Sequence, residues 1–309
     1  MLERRSRCPS CIPSVSSFRL GAETKRLLLP YSVVVKEDSY PSWDLGLDLA
    51  AFVWHAREPK ANLLLQHGLG EYTTRYVHQY SHLIPRLNEL GFNVYGFDLP
   101  GHGYTKGVRG LVNMHEALDL HIKARAAIPA GLPLFLLGHS LGGLVTIGSI
   151  MKQQDGLAGA VISSSAMQKP SSIFERTLGS VMAKLKPEGP MPLPRPGTEA
   201  LTRDLDLVKV IDADPLMDTG KAKNLVANTI LEVSDQVWGW AKEWKLPVLF
   251  IHGDKDTSTD HRNSQALFKA ISASDKNLLI YPGGYHELLN DTIKDEVLPA
   301  VLGWLRTRI

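Results

Sequence analysis

Residues 132–142 read LPLFLLGHSLG, and this stretch decides the fold. An apolar run ends at the pentapeptide GHSLG of residues 138–142, in which a serine has a glycine two positions away on each side. This pattern is typical of a sharp turn from a strand into a helix that lifts a serine hydroxyl above the edge of a sheet. The serine backbone is strained there, and a side chain at 138 or 142 would press into neighbouring segments. Ser140 is therefore the candidate nucleophile.

The composition of the 309-residue chain, with 44% hydrophobic and 21% charged residues, indicates a globular protein that can bury a full-sized core. The net charge of +2 and the scattered cationic residues disfavour a nucleic-acid partner. No run approaches the roughly 20 apolar residues needed to cross a bilayer, and no secretory signal is recognisable, so we expect a soluble cytoplasmic protein. The two cysteines, Cys8 and Cys11, lack a second ligand pair at zinc spacing, and we interpret their C-x-x-C spacing as incidental.

Short buried apolar runs alternate with helical patterns from Ala61 onward, which predicts a parallel sheet with helices on both faces. Residues 1–28 are expected to form a flexible leader. Tyr31–Val35 and Leu47–Trp54 have the alternating, β-branched character of strands, and we predict that they form a hairpin at one edge of the sheet.

The alternation breaks between Met167 and Lys245, a segment that contains the proline cluster of residues 187–196. Two amphipathic helices are predicted around this cluster, with apolar residues at helical spacing at Phe174, Leu178, Val181, Met182 and Leu185 and at Val226, Ile230, Val233 and Val237. Such helices commonly pack on the body of a protein. Because the insertion follows the strand beyond the serine and would lie over it, we favour a cap whose inner face contacts an acyl chain. We expect a core of residues 29–166 and 246–309 and a cap of residues 167–245.

Two later loops contain the groups that a serine nucleophile needs. A serine hydroxyl attacks at neutral pH when a base takes its proton, and a carboxylate usually orients that base. Residues 253–256 read GDKD after the penultimate predicted strand and residues 283–286 read GGYH after the last, which gives the chain order Ser, Asp, His. Among the 11 histidines, His286 alone follows the last predicted strand on a Gly-Gly turn, so it is the candidate base. The residues alone leave both Asp254 and Asp256 open as the acid.

An earlier loop is the candidate oxyanion hole. Residues 65–70 read LQHGLG at the end of the first buried parallel strand, where glycines let a backbone N–H group point at a developing oxyanion. We expect the N–H of Leu69 to lie beside the N–H of Leu141, the residue that follows the candidate nucleophile. Considered alone, His67-Gly68 would indicate an ordinary turn at the end of a strand. We favour an oxyanion hole because this loop lies where a serine turn such as that at Ser140 requires one.

These motifs together resemble the monoacylglycerol lipase and lysophospholipase branch of the α/β-hydrolases: HGLGE at 67–71, Arg75-Tyr76, DLPGHG at 98–103 and GHSLGG at 138–143. The similarity runs from about residue 30 to the end and includes DADPL at 212–216. The resemblance implies an α/β-hydrolase fold, with a mostly parallel sheet of eight strands, helices on both faces and a helical cap. It also implies that Asp256 is the acid, fourth in a Gly-x-x-Asp turn, and that Glu71 and Arg75 shape the polar end of the pocket, where glycerol would bind.

The expected activity is hydrolysis of carboxylic esters without a cofactor or a metal, most of all of monoacylglycerols or similar single-chain esters. Ser140 would attack the carbonyl, His286 would transfer the proton and Asp256 would hold the imidazole. The expected partner is a small-molecule ester or lipid. Peripheral contact of the cap with a membrane and the oligomeric state are left open.

Three alternatives remain from the sequence. A carboxylesterase for short-chain or xenobiotic monoesters, such as phthalate-type compounds, would use the same residues. An aminopeptidase would need acidic groups in the cap to hold a free amine, and Glu175, Glu188 and Glu199 are too scattered to favour one. A non-catalytic ligand receptor could share the fold, although the complete set of Ser, His and Asp argues against it.

Overall fold

The computed structural model describes residues 40–192 and 196–309, and these residues contain a sheet of seven strands. The strands are β1 (Ala51–Trp54), β2 (Ala61–Gln66), β3 (Phe92–Phe97), β4 (Leu134–His139), β5 (Leu157–Ser163), β6 (Val248–Gly253) and β7 (Lys276–Tyr281). The helices are α1 (Arg75–His78), α2 (Leu83–Leu90), α3 (Met114–Ala127), α4 (Leu141–Lys152), α5 (Ile173–Leu185), α6 (Leu205–Ala213), α7 (Asn224–Trp240), α8 (His261–Ala270) and α9 (Lys294–Arg306). Short 3₁₀ helices lie at Tyr80–His82, Thr198–Ala200 and Ala241–Glu243.

The strands are ordered β1-β3-β2-β4-β5-β6-β7, and all neighbours are parallel except β1 and β3. Strands β2, β3 and β6 are buried along their whole length, as expected where helices cover both faces of a parallel sheet. Alternate residues of β2 belong to different apolar clusters, with Leu64 in the one that includes α3 and α4 and Leu63 in the one that includes α2 and α9. The predicted α/β-hydrolase architecture is confirmed.

The described sheet has one strand fewer than the eight predicted. The predicted strand Tyr31–Val35 lies outside the described residues, as do the predicted leader of residues 1–28 and both cysteines. The strand predicted at Leu47–Trp54 begins only at Ala51, and β1 pairs antiparallel with β3. Its first part bends instead, because Gly46 adopts a φ of +68° and its N–H donates to the Asp44 carboxylate at 3.0 Å.

Residues 167–245 lie between β5 and β6 and include α5, α6 and α7. Both predicted helices of this segment are present, and α6 was missed because its apolar pattern covers little more than two turns. The core side of the segment is α7, whose apolar residues pack into the core cluster that includes α3 and α4.

The exposed side of the inserted segment is α5. Its small residues make the close contact, since Ala183 is buried and Gly179 lies against Asn228 of α7. Its large apolar residues point to solvent, with Phe174 72% and Leu185 75% exposed. Of the two predicted helices, α7 therefore packs its apolar residues into the core, whereas α5 exposes most of its large apolar residues.

Among the residues that the structure describes, none of the helices combines the length and apolar character needed to cross a membrane.

Candidate active site

Ser140 lies at the turn between β4 and α4 in a strained conformation, with φ of +54° and ψ of −119°. The turn is possible because its flanking residues have no side chains. A Cβ at Gly138 would lie 2.3 Å from the carbonyl oxygen of Gly142, and one at Gly142 would lie 2.2 Å from that of Gln66. The close approach of these backbones presents the Ser140 hydroxyl at the carboxyl end of the sheet.

The loops after β6 and β7 bring a carboxylate and an imidazole to Ser140. His286 Nε2 lies 2.8 Å from Ser140 Oγ, and His286 Nδ1 lies 2.7 Å from Asp256 Oδ2. An ionised carboxylate only accepts hydrogen bonds, so Nδ1 carries the proton that it shares with Asp256, and Nε2 is left to accept the Ser140 proton. The geometry is that of a nucleophile, a base and an orienting acid in a line.

Burial and charge oppose one another at both titratable groups. Burial alone would lower the pKa of His286, but the charge and hydrogen bond of Asp256 overcome it and raise this pKa above its ordinary value. Burial would likewise raise the pKa of Asp256, yet the charge of His286 and the hydrogen bonds from His252 and His286 hold it far below its ordinary value. The arrangement therefore favours an ionised carboxylate beside a basic imidazole.

The structure separates the two carboxylates that the residues alone left open. Asp256 contacts His286, whereas Asp254 Oδ1 accepts the N–H of Gly283 at 2.7 Å. Asp254 therefore ties the β6 loop to the turn that carries His286.

Leu69 and Leu141, the predicted oxyanion-hole residues, line the same cavity as Ser140. Leu141 is the first residue of α4, where backbone N–H groups at a helix N-terminus have no partner within the helix. The ring of His67 links the loop that contains Leu69 to the end of β3. Its Nδ1 lies 2.8 Å from the oxygen of Gly68, and its Nε2 accepts the N–H of Leu99 at 3.0 Å. Burial lowers the pKa of His67, which is consistent with one ring nitrogen donating and the other accepting.

Arg75, which is expected to help shape the polar end of the pocket, is not among the residues that line the cavity. Its guanidinium is fully buried between two carboxylates, with Nη1 2.7 Å from Glu71 Oε2 and 3.0 Å from Glu287 Oε1. Glu71 does line the cavity, and its Oε1 accepts the N–H of Gly68 at 2.7 Å. This ion cluster of Glu71, Arg75 and Glu287 joins the loop that contains Leu69 to the residue directly after His286.

Two tyrosines complete the ion cluster. The hydroxyl of Tyr76 donates to Glu71 Oε1 at 3.0 Å and that of Tyr80 to Glu71 Oε2 at 2.9 Å. Burial raises the pKa of Glu71, whereas Arg75 overcomes the effect of burial on Glu287 and lowers its pKa. Arg75 and the two hydroxyl groups therefore supply the partners that two buried carboxylates need.

The backbone between α1 and α2 is strained where it approaches the ion cluster. Tyr80, Ser81 and His82 all have positive φ, at +51°, +58° and +56°. The strain is held by contacts with the loop after His286, because the N–H of Tyr80 donates to Asn290 Oδ1 and Ser81 Oγ donates to the oxygen of Leu289. These bonds place the Tyr80 ring against the ion cluster.

A cavity of about 200 Å³ opens over Ser140. Core residues form its floor, including Gly68, Leu69, Glu71, Ser140, Leu141 and His286. Residues of the inserted segment form much of the remaining wall, including Gln168, Thr198, Leu201, Met217, Asp218 and Ile230. Substrate that reaches Ser140 would therefore contact both parts of the chain.

A short strap, residues 214–218, ties the inserted segment to the floor. The hydroxyl of Tyr72 donates to Asp214 Oδ2 at 2.6 Å, and the N–H of Asp218 donates to the oxygen of Gly70 at 2.8 Å. Arg109 donates to the oxygens of Leu216 and Gly103. The strap fixes the cavity wall at Met217 and Asp218 next to the loop that contains Leu69.

Sequence reasoning missed two residues of this site. Glu287 directly follows His286, and His252 lies four positions before Asp256 with its Nε2 3.1 Å from Asp256 Oδ2. Each is adjacent to a motif that the sequence analysis identified: Glu287 follows GGYH at 283–286, and His252 precedes GDKD at 253–256. This adjacency is the sequence feature that indicates them.

Comparison with known proteins places the chain among hydrolases. Residues 57–293 match the family described as "Serine aminopeptidase, S33". An uncharacterized abhydrolase domain-containing protein of Dictyostelium discoideum is 30% identical over 82% of this chain, which spans 27% of that relative's length. The monoacylglycerol lipase of Mycolicibacterium smegmatis is 27% identical over 84% of this chain and 93% of its own. The crystal structure of Paleococcus ferrophilus monoacylglycerol lipase has a TM-score of 0.73 and 31% identity, covering 85% of this chain and all (100%) of its own.

Proposed function

The chain belongs to the serine aminopeptidase S33 family, in the monoacylglycerol lipase-like branch of the α/β-hydrolases, and from this premise we propose that Ser140, His286 and Asp256 hydrolyse carboxylic esters. The observation that carries the proposal is the pair of contacts at His286, 2.8 Å to Ser140 Oγ and 2.7 Å to Asp256 Oδ2. A base in hydrogen-bond contact with both a nucleophile and an orienting acid is the arrangement that acyl transfer requires.

The proposed reaction has two halves. His286 Nε2 removes the Ser140 proton as Oγ attacks the ester carbonyl, and the N–H groups of Leu69 and Leu141 stabilise the tetrahedral oxyanion. The imidazolium returns the proton to the departing alcohol, which leaves an acyl-serine. Water then attacks this ester with His286 again as the base, releasing the acid and restoring the serine. Every group in these steps belongs to the chain, the substrate or water.

A fluorophosphonate probe tests the nucleophile. We expect stoichiometric labelling of Ser140 in the wild-type protein and none in Ser140→Ala. Labelling at another residue, or its absence in folded wild-type protein, would contradict the proposal and favour the non-catalytic receptor.

For the substrate we propose monoacylglycerols or similar single-chain esters. The supporting observation is the likeness to relatives described as monoacylglycerol lipases, together with a cavity that combines apolar residues such as Leu201, Met217 and Ile230 with polar residues such as Thr198 and Asp218. A panel of monoacylglycerols with increasing acyl length, compared by kcat/KM, tests this class. The expected outcome is a maximum within the monoacylglycerol series.

A second candidate is a carboxylesterase for short-chain or xenobiotic monoesters. The observation in its favour is the cavity volume of about 200 Å³, which is below the roughly 300–1,000 Å³ usual for ligand pockets. Short p-nitrophenyl esters and phthalate-type monoesters in the same panel separate the two candidates. A kcat/KM for these compounds above that of every monoacylglycerol would favour the second.

The aminopeptidase alternative has less support. Glu175, Glu188 and Glu199, the acidic residues considered for an amine site, are exposed and none lines the cavity. Among the described residues, three acidic ones do line the cavity, and each already has a partner. Glu71 and Glu287 are paired with Arg75, and Asp218 Oδ1 accepts the N–H of Gly220 at 2.9 Å.

We further propose that residues 167–245 act as a cap with two different sides. The inner side supplies cavity walls from α7 and the strap. The outer side, α5, has the exposed apolar residues Phe174, Leu178 and Leu185, and we propose that this stripe makes peripheral contact with lipid surfaces that hold the substrate.

A further inference from the structure

The carboxylate of Asp256 lies between two imidazoles, and we infer that the second one, His252, is a positioning residue that fixes the orientation of Asp256 toward His286. The inference rests on the ester-hydrolase function proposed above and adds a residue to its machinery. His252 does not contact Ser140 or line the cavity, so its effect passes through Asp256.

Both imidazoles share one oxygen of Asp256. His252 Nε2 lies 3.1 Å and His286 Nδ1 lies 2.7 Å from Oδ2, and the side chains of His252 and Asp256 are both fully buried. The Thr259 hydroxyl lies 2.8 Å from the same oxygen. The other oxygen, Oδ1, accepts the N–H groups of Ser258 and Thr259 at 2.8 and 2.9 Å.

The proton of His252 can be assigned from its partners. The Asp256 carboxylate is an acceptor, so the hydrogen bond requires the proton to be on His252 Nε2. Nδ1 is then an acceptor, and it lies 2.8 Å from the hydroxyl of Ser264, which can donate to it. The Asp256 carboxylate thus selects the tautomer in which His252 points an N–H group at it, and the Ser264 hydroxyl can satisfy the other ring nitrogen.

This contact has a consequence for orientation. The terminal torsion of an aspartate is broad, and because the carboxylate is planar, each donor on either oxygen restricts the orientation of the whole group. The N–H of His252 approaches Oδ2 alongside that of His286 and restricts this rotation. Because the charge of Asp256 raises the pKa of His286, a misaligned carboxylate would lower that pKa as well as slow proton transfer.

Two amides form a matched pair of variants. The amide nitrogen of glutamine is separated from Cβ by as many bonds as Nε2 of histidine, so His252→Gln can still donate to Asp256. The shorter His252→Asn reaches only the Nδ1 position beside Ser264 and leaves Oδ2 without this donor. Both variants remove the ring and differ in the donor to Asp256. His252→Asn also lacks one methylene group, and the cost of that loss appears in the unfolding measurement.

We expect His252→Asn to lower kcat about 10- to 100-fold with little change in KM, the factor that corresponds to losing a hydrogen bond to a charged group. The midpoint of the rise in kcat/KM on the acidic side of its pH profile, called the acidic limb, should shift to lower pH. His252→Gln should retain kcat within about threefold, and the midpoint of its acidic limb should equal that of the wild type. Thermal unfolding of each variant measures the folded fraction, and active-site labelling sets the enzyme concentration.

Three outcomes would overturn the inference: His252→Asn with wild-type kcat and pH profile, equal losses in both variants, or a lower kcat with an unmoved acidic limb. If His252→Asn does not fold, His252→Met replaces it, since methionine is similar in length to glutamine but has no N–H group to donate to Asp256; a wild-type kcat and pH profile in that variant would also contradict the inference. The proposed function fails separately, if the wild-type protein neither labels at Ser140 nor hydrolyses any ester of the panel.

Discussion

The floor of the cavity and the outer helix of the inserted segment are built in opposite ways. On the floor and in the ion cluster that contacts it, charged and polar groups are buried and held by several partners each, as at Arg75 between Glu71 and Glu287. On α5, large apolar side chains such as Phe174 and Leu185 are exposed, and the buried residue is the small Ala183. The floor and the ion cluster therefore hold their polar groups in defined contacts, whereas α5 exposes apolar surface to solvent.

This contrast indicates a division of labour. Buried charges are costly unless they are paired, so a cluster of them defines one arrangement of the loops that carry His286 and Leu69. An exposed apolar stripe defines no arrangement, but it lowers the free energy of contact with another apolar phase. Substitutions on the floor should accordingly affect chemistry or stability, and those on α5 should affect the location of the protein.

The strongest test of the contrast is the loss of the nucleophile. By analogy with serine proteases, Ser140→Ala should lower kcat by about 10⁶, because no other group can form the acyl intermediate. Steady-state hydrolysis of an ester from the panel measures the effect, and the unfolding midpoint should stay near that of the wild type. Near-native activity in Ser140→Ala would refute the assignment of chemistry to the floor.

The second test concerns the acid and the pH profile. The pKa of His286 is raised above the ordinary value of 6.5, and the base must be neutral to act, so wild-type kcat/KM should rise with pH through a midpoint above 6.5. Asp256→Asn should lower kcat on the order of 10⁴. It also removes the Asp256 charge, the largest of the causes that raise the His286 pKa, and leaves burial opposed only by Glu287 and Glu71, so the midpoint should move below that of the wild type.

Asp254→Asn is the matched control for the acid, since it lies two residues away and contacts Gly283 instead of His286. It should keep the wild-type midpoint. A downward shift in Asp254→Asn, with none in Asp256→Asn, would reverse the two roles.

The third test compares an ion cluster of the floor with an ion pair of the insertion. Arg75→Met leaves two buried carboxylates together and should destabilise the protein by about 3–5 kcal/mol. Lys209→Met breaks the exposed pair with Asp206 on α6, where water screens the charges, and should cause no measurable loss. Urea unfolding measures both. Equal losses would show that burial does not distinguish the two regions.

The features predictable from the sequence are those with local causes. The steric demand for glycine at positions 138 and 142 and the order of loops after parallel strands were enough to predict Ser140 and His286 as neighbours, which they are. The residues alone did not separate Asp256 from Asp254, because both lie in one loop. Both contact the turn that carries His286, about thirty residues later in the chain, and the difference between them is that Asp256 contacts the His286 ring whereas Asp254 contacts the backbone of Gly283.

The features not predictable depend on contacts between distant segments. The ion pair between Arg75 and Glu287 joins residues 212 positions apart in the chain, and sequence spacing does not reveal such a pair. The apolar spacing of α5 correctly predicts a helix. It does not show which face is covered, because the close contact with α7 uses Gly179 and Ala183 instead of the larger side chains.

The last and smallest effect concerns the exposed stripe of α5. Phe174→Ser and Leu185→Ser remove apolar surface that already faces solvent, so stability and kcat/KM for a soluble short ester should not change. If the stripe contacts lipid, each substitution should weaken binding to phosphatidylcholine vesicles about tenfold, as expected for a side chain that is partly transferred to an apolar phase. Co-sedimentation with vesicles measures this binding. Val108→Ser, an exposed apolar residue outside the insertion, is the control and should bind like the wild type. Equal binding by all four proteins would remove lipid contact from α5 and leave its exposed stripe as surface without that role.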